Sequence, residues 1–116
     1  MLATVLALAG CSILPGGGAA YQGSDAYVAG IRQYDNGNYS ESARMLQRAI
    51  DQGLPWRDSV NAHKHLAFIH CASGRERACR EEFRKALALD PELELTPAEA
   101  GHPAWGPVFR ALKAHR

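Results

Sequence analysis

Gly74 interrupts an otherwise helical stretch, and that interruption constrains the fold more than any other feature of the chain. From Ala62 to Pro91 the sequence reads AHKHLAFIHCASGRERACREEFRKALALDP. Leu66, Ala67, Ile69 and His70 recur near helical spacing before the glycine, and Ala78, Cys79, Phe83, Ala86 and Leu87 after it. Gly74 breaks the pattern, and Pro91, which lacks a backbone N–H, cannot extend the second helix. The stretch therefore predicts two antiparallel helices joined by a tight turn. Ala67 and Cys79 are small enough to let them approach closely. Phe83 is left to fill the space against a neighbouring unit.

A similar pattern stands 37 residues earlier. Ser24 or Asp25 is placed to cap a helix running to about Asn36, with Tyr27, Gly30, Ile31 and Tyr34 on one face. Asn36-Gly37-Asn38 is a turn, and Ser40-Glu41 opens a helix bearing Ser42, Met45, Leu46, Ala49 and Ile50. Gly30 aligns with Ala67, Tyr34 with Cys71, Gly37 with Gly74, Ser42 with Cys79, Leu46 with Phe83 and Ala49 with Ala86, every pair 37 positions apart. The succession of small residue, aromatic, turn glycine, small residue, bulky apolar residue, alanine and proline resembles the tetratricopeptide repeat, whose usual period is about 34. The excess falls between Gln52 and Asp58, where Gly53 and Pro55 lengthen the link. Asp58 or Ser59 is the expected cap of the third helix.

Fewer than three such units seldom bury enough surface alone, so the ends need cover. The tail is built to supply it. Thr96-Pro97-Ala98-Glu99 has the capping-box pattern with proline at the first helical position. Beyond Gly101-His102-Pro103, a last helix sets Trp105, Val108, Phe109 and Leu112 on one side, and Pro107 is tolerable only in its first turn. That stripe is expected against the helix carrying Phe83 and Leu87, the alternative being an exposed partner-binding face. No run alternates as a strand would. The fold class is all-α: two tetratricopeptide-like hairpins and a C-terminal capping helix over residues 24–116. A chain of 116 residues fits one such domain.

The N-terminus reads as an address. Met1 to Ala9 is apolar but far short of the roughly 20 residues that span a bilayer. It runs into Leu8-Ala9-Gly10-Cys11, which resembles the bacterial lipobox, where the signal peptide is cleaved before the cysteine whose thiol receives lipid. Residues 1–10 are then the signal peptide, Cys11 the lipidated residue and 11–23 a glycine-rich flexible tether. By the sorting rule of lipoproteins as a class, Ser12 favours the outer membrane.

Cys71 and Cys79 are eight apart across the Gly74 turn, so they fall roughly opposite one another in an antiparallel hairpin. An exported compartment favours their oxidation to a disulfide; two small buried thiols are the other reading. His63, His65, His70, His102 and His115 raise the question of a metal. No H-E-x-x-H occurs, and no set of three or four ligands has familiar zinc spacing. No catalytic triad order, phosphate loop or carboxylate pair is recognisable, so neither an enzyme, a cofactor nor a small-molecule substrate is expected. The net charge of +1 gives no basic surface for nucleic acid.

The lipobox, the repeats and the tail from Pro97 to Phe109, together with Ala62 to Arg75 and Asp90-Pro91, resemble the TssQ-type lipoproteins associated with bacterial type VI secretion. The resemblance covers nearly all of the chain beyond Cys11. The repeats alone are shared with outer-membrane assembly and pilus-biogenesis lipoproteins, which is the alternative, as is a metal-binding subunit of a cell-envelope enzyme. The resemblance implies an accessory outer-membrane lipoprotein, anchored by lipid and facing the periplasm, that holds a secretion-apparatus protein in its repeats. Tyr27, Arg32, Gln33, Lys64 and His65 are the candidate contacts on a concave face.

Overall fold

The structure is a computed structural model and describes residues 21–115. Residues 1–20, which include the expected signal peptide, Cys11 and most of the tether, lie outside the described residues, as does residue 116. Six helices follow one another in the described part: α1 (Ser24–Asp35), α2 (Tyr39–Gln52), α3 (Trp56–Ala72), α4 (Glu76–Leu89), α5 (Pro97–Ala100) and α6 (Gly106–Ala114). No strand occurs among the described residues. The fold is all-α, with α1–α2 and α3–α4 forming antiparallel hairpins and α6 packed on α4.

The two hairpins keep the 37-residue register through the turn and the whole second helix. Gly37 and Gly74 both take positive φ, 80° and 78°, a backbone state that glycine adopts without steric cost. Asn38 and Arg75 precede α2 and α4 with nearly the same dihedrals, φ −87° and ψ 70° against φ −93° and ψ 69°. Both second helices are 14 residues long. Asn38 N–H donates to the Gln33 carbonyl and Arg75 N–H to the His70 carbonyl, each at 2.8 Å. The side chains repeat the clasp: Asn38 Nδ2 donates to Gln33 Oε1 at 2.8 Å and Arg75 Nε to His70 Nδ1 at 3.2 Å.

The helix starts differ from the expected caps. Gly23, not Ser24 or Asp25, precedes α1, and Ser24 Oγ turns back to the Tyr21 carbonyl at 3.4 Å. Gly23 is buried, and its N–H donates to the Gly53 carbonyl at 2.9 Å. It therefore belongs to the fold and not to the tether. α3 begins at Trp56, ahead of Asp58 and Ser59, because Pro55 sets an extended residue (φ −55°, ψ 155°) from which the helix can turn at once. Ser59 Oγ then donates to the Leu54 carbonyl at 3.2 Å. The Thr96 capping box and Pro107 in the first turn of α6 are as expected.

Two cores meet on α3. Leu66 and Ile69 join Leu46, Ala49, Leu54 and Ala62, covered by Tyr27, Ile31 and Tyr34. Ala67, Phe68 and Cys71 join Cys79, Phe83, Leu87, Trp105 and Phe109, with Val108 and Leu112 packed against them. The tail stripe thus covers Phe83 and Leu87 as expected. Aromatic rings carry the contact: Trp105 stacks on Phe68 at 4.3 Å between centroids, and Phe109 meets Phe83 edge-on at 5.2 Å. At Gly30 the α1 and α2 backbones come so close that an added Cβ would lie 2.8 Å from Leu46 Cγ. Opposite it, Ser42 Oγ donates to the Gly30 carbonyl at 2.7 Å.

Candidate partner-binding groove

Besides the sides that enter the cores, α3 has a further face. Trp56, Val60 and Lys64 recur at four-residue spacing with Arg57 and Asn61 beside them, so all five stand on one side of the helix. Asp90 and Leu93, just beyond α4, complete a groove of about 320 Å³. Trp56 Nε1 donates to the Leu89 carbonyl at 2.7 Å and fastens the start of α3 to the end of α4. Asn61 Nδ2 donates to Tyr27 Oη at 2.6 Å and fastens α3 to α1.

Lys64 reaches the tail. Its Nζ lies 2.9 Å from Glu99 Oε2 and 5.7 Å from the centroid of the Phe68 ring. Burial pushes the Glu99 carboxyl up, but hydrogen bonds from Thr96 and Lys64, with the Lys64 charge, outweigh it and hold the group below its ordinary 4.5. The groove therefore carries an internally balanced ion pair at one end and a half-exposed indole at the other.

Of the five contact residues expected from sequence, the structure joins two to this groove. Lys64 lines it, and Tyr27 supports it through Asn61. Burial pushes the Tyr27 hydroxyl above its ordinary 10.0. His65 instead packs between the hairpins, edge-on to Tyr34 at 4.7 Å and to Phe68 at 5.6 Å. Its Nδ1 lies 2.8 Å from the Asn61 carbonyl, which only accepts, so Nδ1 carries the proton. Burial holds the ring below its ordinary 6.5 and keeps it neutral. Arg32 is exposed in the last turn of α1, and Gln33 is engaged with Asn38 at the turn.

Trp56, Arg57, Val60, Asn61, Asp90 and Leu93 were not among the residues expected from sequence. The four-residue recurrence of Trp56, Val60 and Lys64 is a signal that finds the α3 side. Asp90 and Leu93 have none, because they belong to an irregular segment placed only by the packing of the tail.

Cys71 and Cys79 stand at disulfide-bonding distance, S–S 1.97 Å and Cα–Cα 5.1 Å, and tie α3 to α4 across the turn. The histidines are dispersed. His63 Nδ1 lies 2.6 Å from Glu82 Oε2, His70 accepts from Arg75, and His102 stacks on Trp105 at 3.4 Å between centroids. His115 is exposed near the C-terminus. Among the described residues, no group of three or more His, Cys, Asp or Glu side chains is gathered that could hold a metal ion. None of the described helices is long and apolar enough to cross a membrane.

Comparison with protein-family models, curated proteins and solved structures gives no match.

Proposed function

We propose that the protein is a lipid-anchored adaptor of the bacterial cell envelope, an accessory outer-membrane lipoprotein of type VI secretion that binds a protein component of the apparatus. The groove along Trp56, Val60 and Lys64 is the observation that carries this reading. It offers apolar wall, hydrogen-bonding amide and charge along about 12 Å of helix, the eight-residue rise from Trp56 to Lys64, which suits a peptide segment of another protein better than a small molecule. The sequence supplies the rest. The lipobox at Cys11 provides the anchor, the glycine-rich tether the reach, and the resemblance in the repeats and tail the kind of partner.

Two measurements test it. Radiolabelled palmitate should enter the wild-type chain and not Cys11→Ala; an unlabelled wild type removes the anchor. A photo-crosslinking residue at Arg57, which lines the groove, should capture a secretion-apparatus protein identified by mass spectrometry, while one at Arg48 on the exposed side of α2 should not. Equal capture at both positions, or none at Arg57, sinks the groove as the binding site.

A further inference from the structure

The antiparallel hairpins bring the start of α1, the end of α2, the start of α3 and the end of α4 to one end of the domain. Of the four large apolar side chains that stand exposed among the described residues, three are found there: Tyr21 at 47%, Trp56 at 51% and Leu89 at 40%. Two hydrogen bonds gather them. Gly23 N–H on the Gly53 carbonyl brings the incoming chain beside the link that leads to Trp56, and Trp56 Nε1 on the Leu89 carbonyl joins the indole to the end of α4.

We propose that this end of the domain rests on a lipid surface of neutral headgroup, with the Trp56 ring at the boundary of headgroups and acyl chains and Tyr21 and Leu89 beside it. Tryptophan and tyrosine favour that boundary because they are apolar bodies with a polar tip. The Trp56 N–H is already satisfied within the protein, so the ring enters an apolar layer without stranding a donor. Tyr21, at this same end, is the described residue next in sequence to the stretch that holds the apolar run and Cys11. Attachment there holds the end at high effective concentration beside the lipid, so a small contact suffices.

Charge selects the lipid. Asp25 and Asp58 in the first turns of α1 and α3, Asp51 near the end of α2, and Asp90, Glu92 and Glu94 beyond α4 outnumber the cations at this end, which are Arg57, Arg48 one turn before the end of α2, and Lys113, whose Nζ donates to the Pro91 and Leu93 carbonyls. An anionic surface repels that set. Lys64 stands two turns along α3, about 12 Å from Trp56, so the Val60–Lys64 part of the groove stays clear of the lipid while Trp56 closes its lipid-side end. The inference rests on the anchored-adaptor reading only for how the chain is attached.

The test replaces that attachment by a chemical one. With Cys71 and Cys79 bridged, Cys11 is the remaining thiol of the three cysteines and couples to a maleimide-headgroup lipid in phosphatidylcholine vesicles. Coupling to plain phosphatidylcholine vesicles should blue-shift the emission of the full-length chain, and phosphatidylcholine brominated near the headgroup end of its acyl chains should quench it. The quenching should vanish in Trp56→Phe, whose remaining tryptophan, Trp105, is buried under Phe68 and His102. Far-UV circular dichroism equal to wild type shows that this variant is folded. Added phosphatidylglycerol should weaken the quenching. Equal emission in brominated and plain vesicles overturns the proposal, as does quenching that persists in Trp56→Phe or that grows with phosphatidylglycerol. Because the coupling is chemical, none of these results depends on lipidation in the cell, which the palmitate experiment decides separately.

Discussion

The His63 imidazole and the Glu82 carboxylate meet at 2.6 Å between α3 and α4, with Lys85 on the other carboxylate oxygen at 3.2 Å. Glu82 is 7% exposed, a buried acid in a helix whose remaining acids face solvent. Burial pushes its carboxyl up, but the hydrogen bonds from His63 and Lys85 and their charges prevail and hold it below its ordinary 4.5. Glu82→Ala strands His63 in the interface and should cost about 1–3 kcal/mol. Urea unfolding at pH 7 measures it, and a cost no larger than that of Glu81→Ala on the exposed side contradicts the assignment.

The same carboxyl predicts an acid dependence. A folded pKa below the unfolded one means that the unfolded state takes up the proton first, so stability is present above the ordinary 4.5 and lost as pH falls through the folded value. Glu99 acts in the same sense. His65 and His70 add an earlier loss: burial depresses both, and for His70 the Arg75 charge assists, so stability starts to fall below the ordinary 6.5. Urea midpoints should therefore drop from pH 7.5 to pH 5.5, and the drop should be smaller in His65→Gln.

The bridge between Cys71 and Cys79 closes a loop with a sequence separation of 8. A loop of that length restricts the unfolded chain by an amount worth about 2–3 kcal/mol. Reduction, or Cys71→Ser with Cys79→Ser, should lower the thermal midpoint accordingly while leaving the helical circular dichroism in place at room temperature. Two alkylated thiols beyond Cys11 in unreduced protein would show that the bridge is absent.

The two tryptophans should separate cleanly. Trp105 is 6% exposed, stacks on Phe68 and His102, and donates Nε1 to the Glu99 carbonyl at 2.8 Å. Trp105→Ala should cost about 3–5 kcal/mol. Trp56 is half exposed, and Trp56→Ala should cost about 1 kcal/mol, mostly through the lost bond to Leu89. Chemical denaturation of both variants at one pH gives the comparison.

Gly74→Ala places a Cβ on a residue with φ of 78°. It should destabilise by about 1–2 kcal/mol, and Gly37→Ala should match it, since the two turns share dihedrals and hydrogen bonds. Unequal costs would show that the turns differ in what they bear.

The hairpins were legible because each residue of the pattern is local in cause: a turn glycine, small residues where helices close, a proline beyond the last turn. The packing of Trp105 and Phe109 on Phe83 was legible for a similar reason, as an apolar stripe with one uncovered helix to meet. The helix starts at Gly23 and Trp56 were not, because Ser24, Asp58 and Ser59 have the chemistry of caps and lost to backbone placement. Lys64 was legible as a polar residue on α3, but its bond to Glu99 depends on a tail more than thirty residues away in the chain. The acid at Glu82 reads as ordinary helix surface until α3 is laid against it.

Because α3 gives Leu66 and Ile69 to one core and Ala67, Phe68 and Cys71 to the other, neither hairpin owns a complete interior. Cutting the chain at the Gly53–Pro55 link would leave both pieces with an open apolar side. The domain should thus melt in a single transition, with the amides of α3 the last to exchange with solvent, and it cannot be shortened to one repeat or lent to another protein by halves.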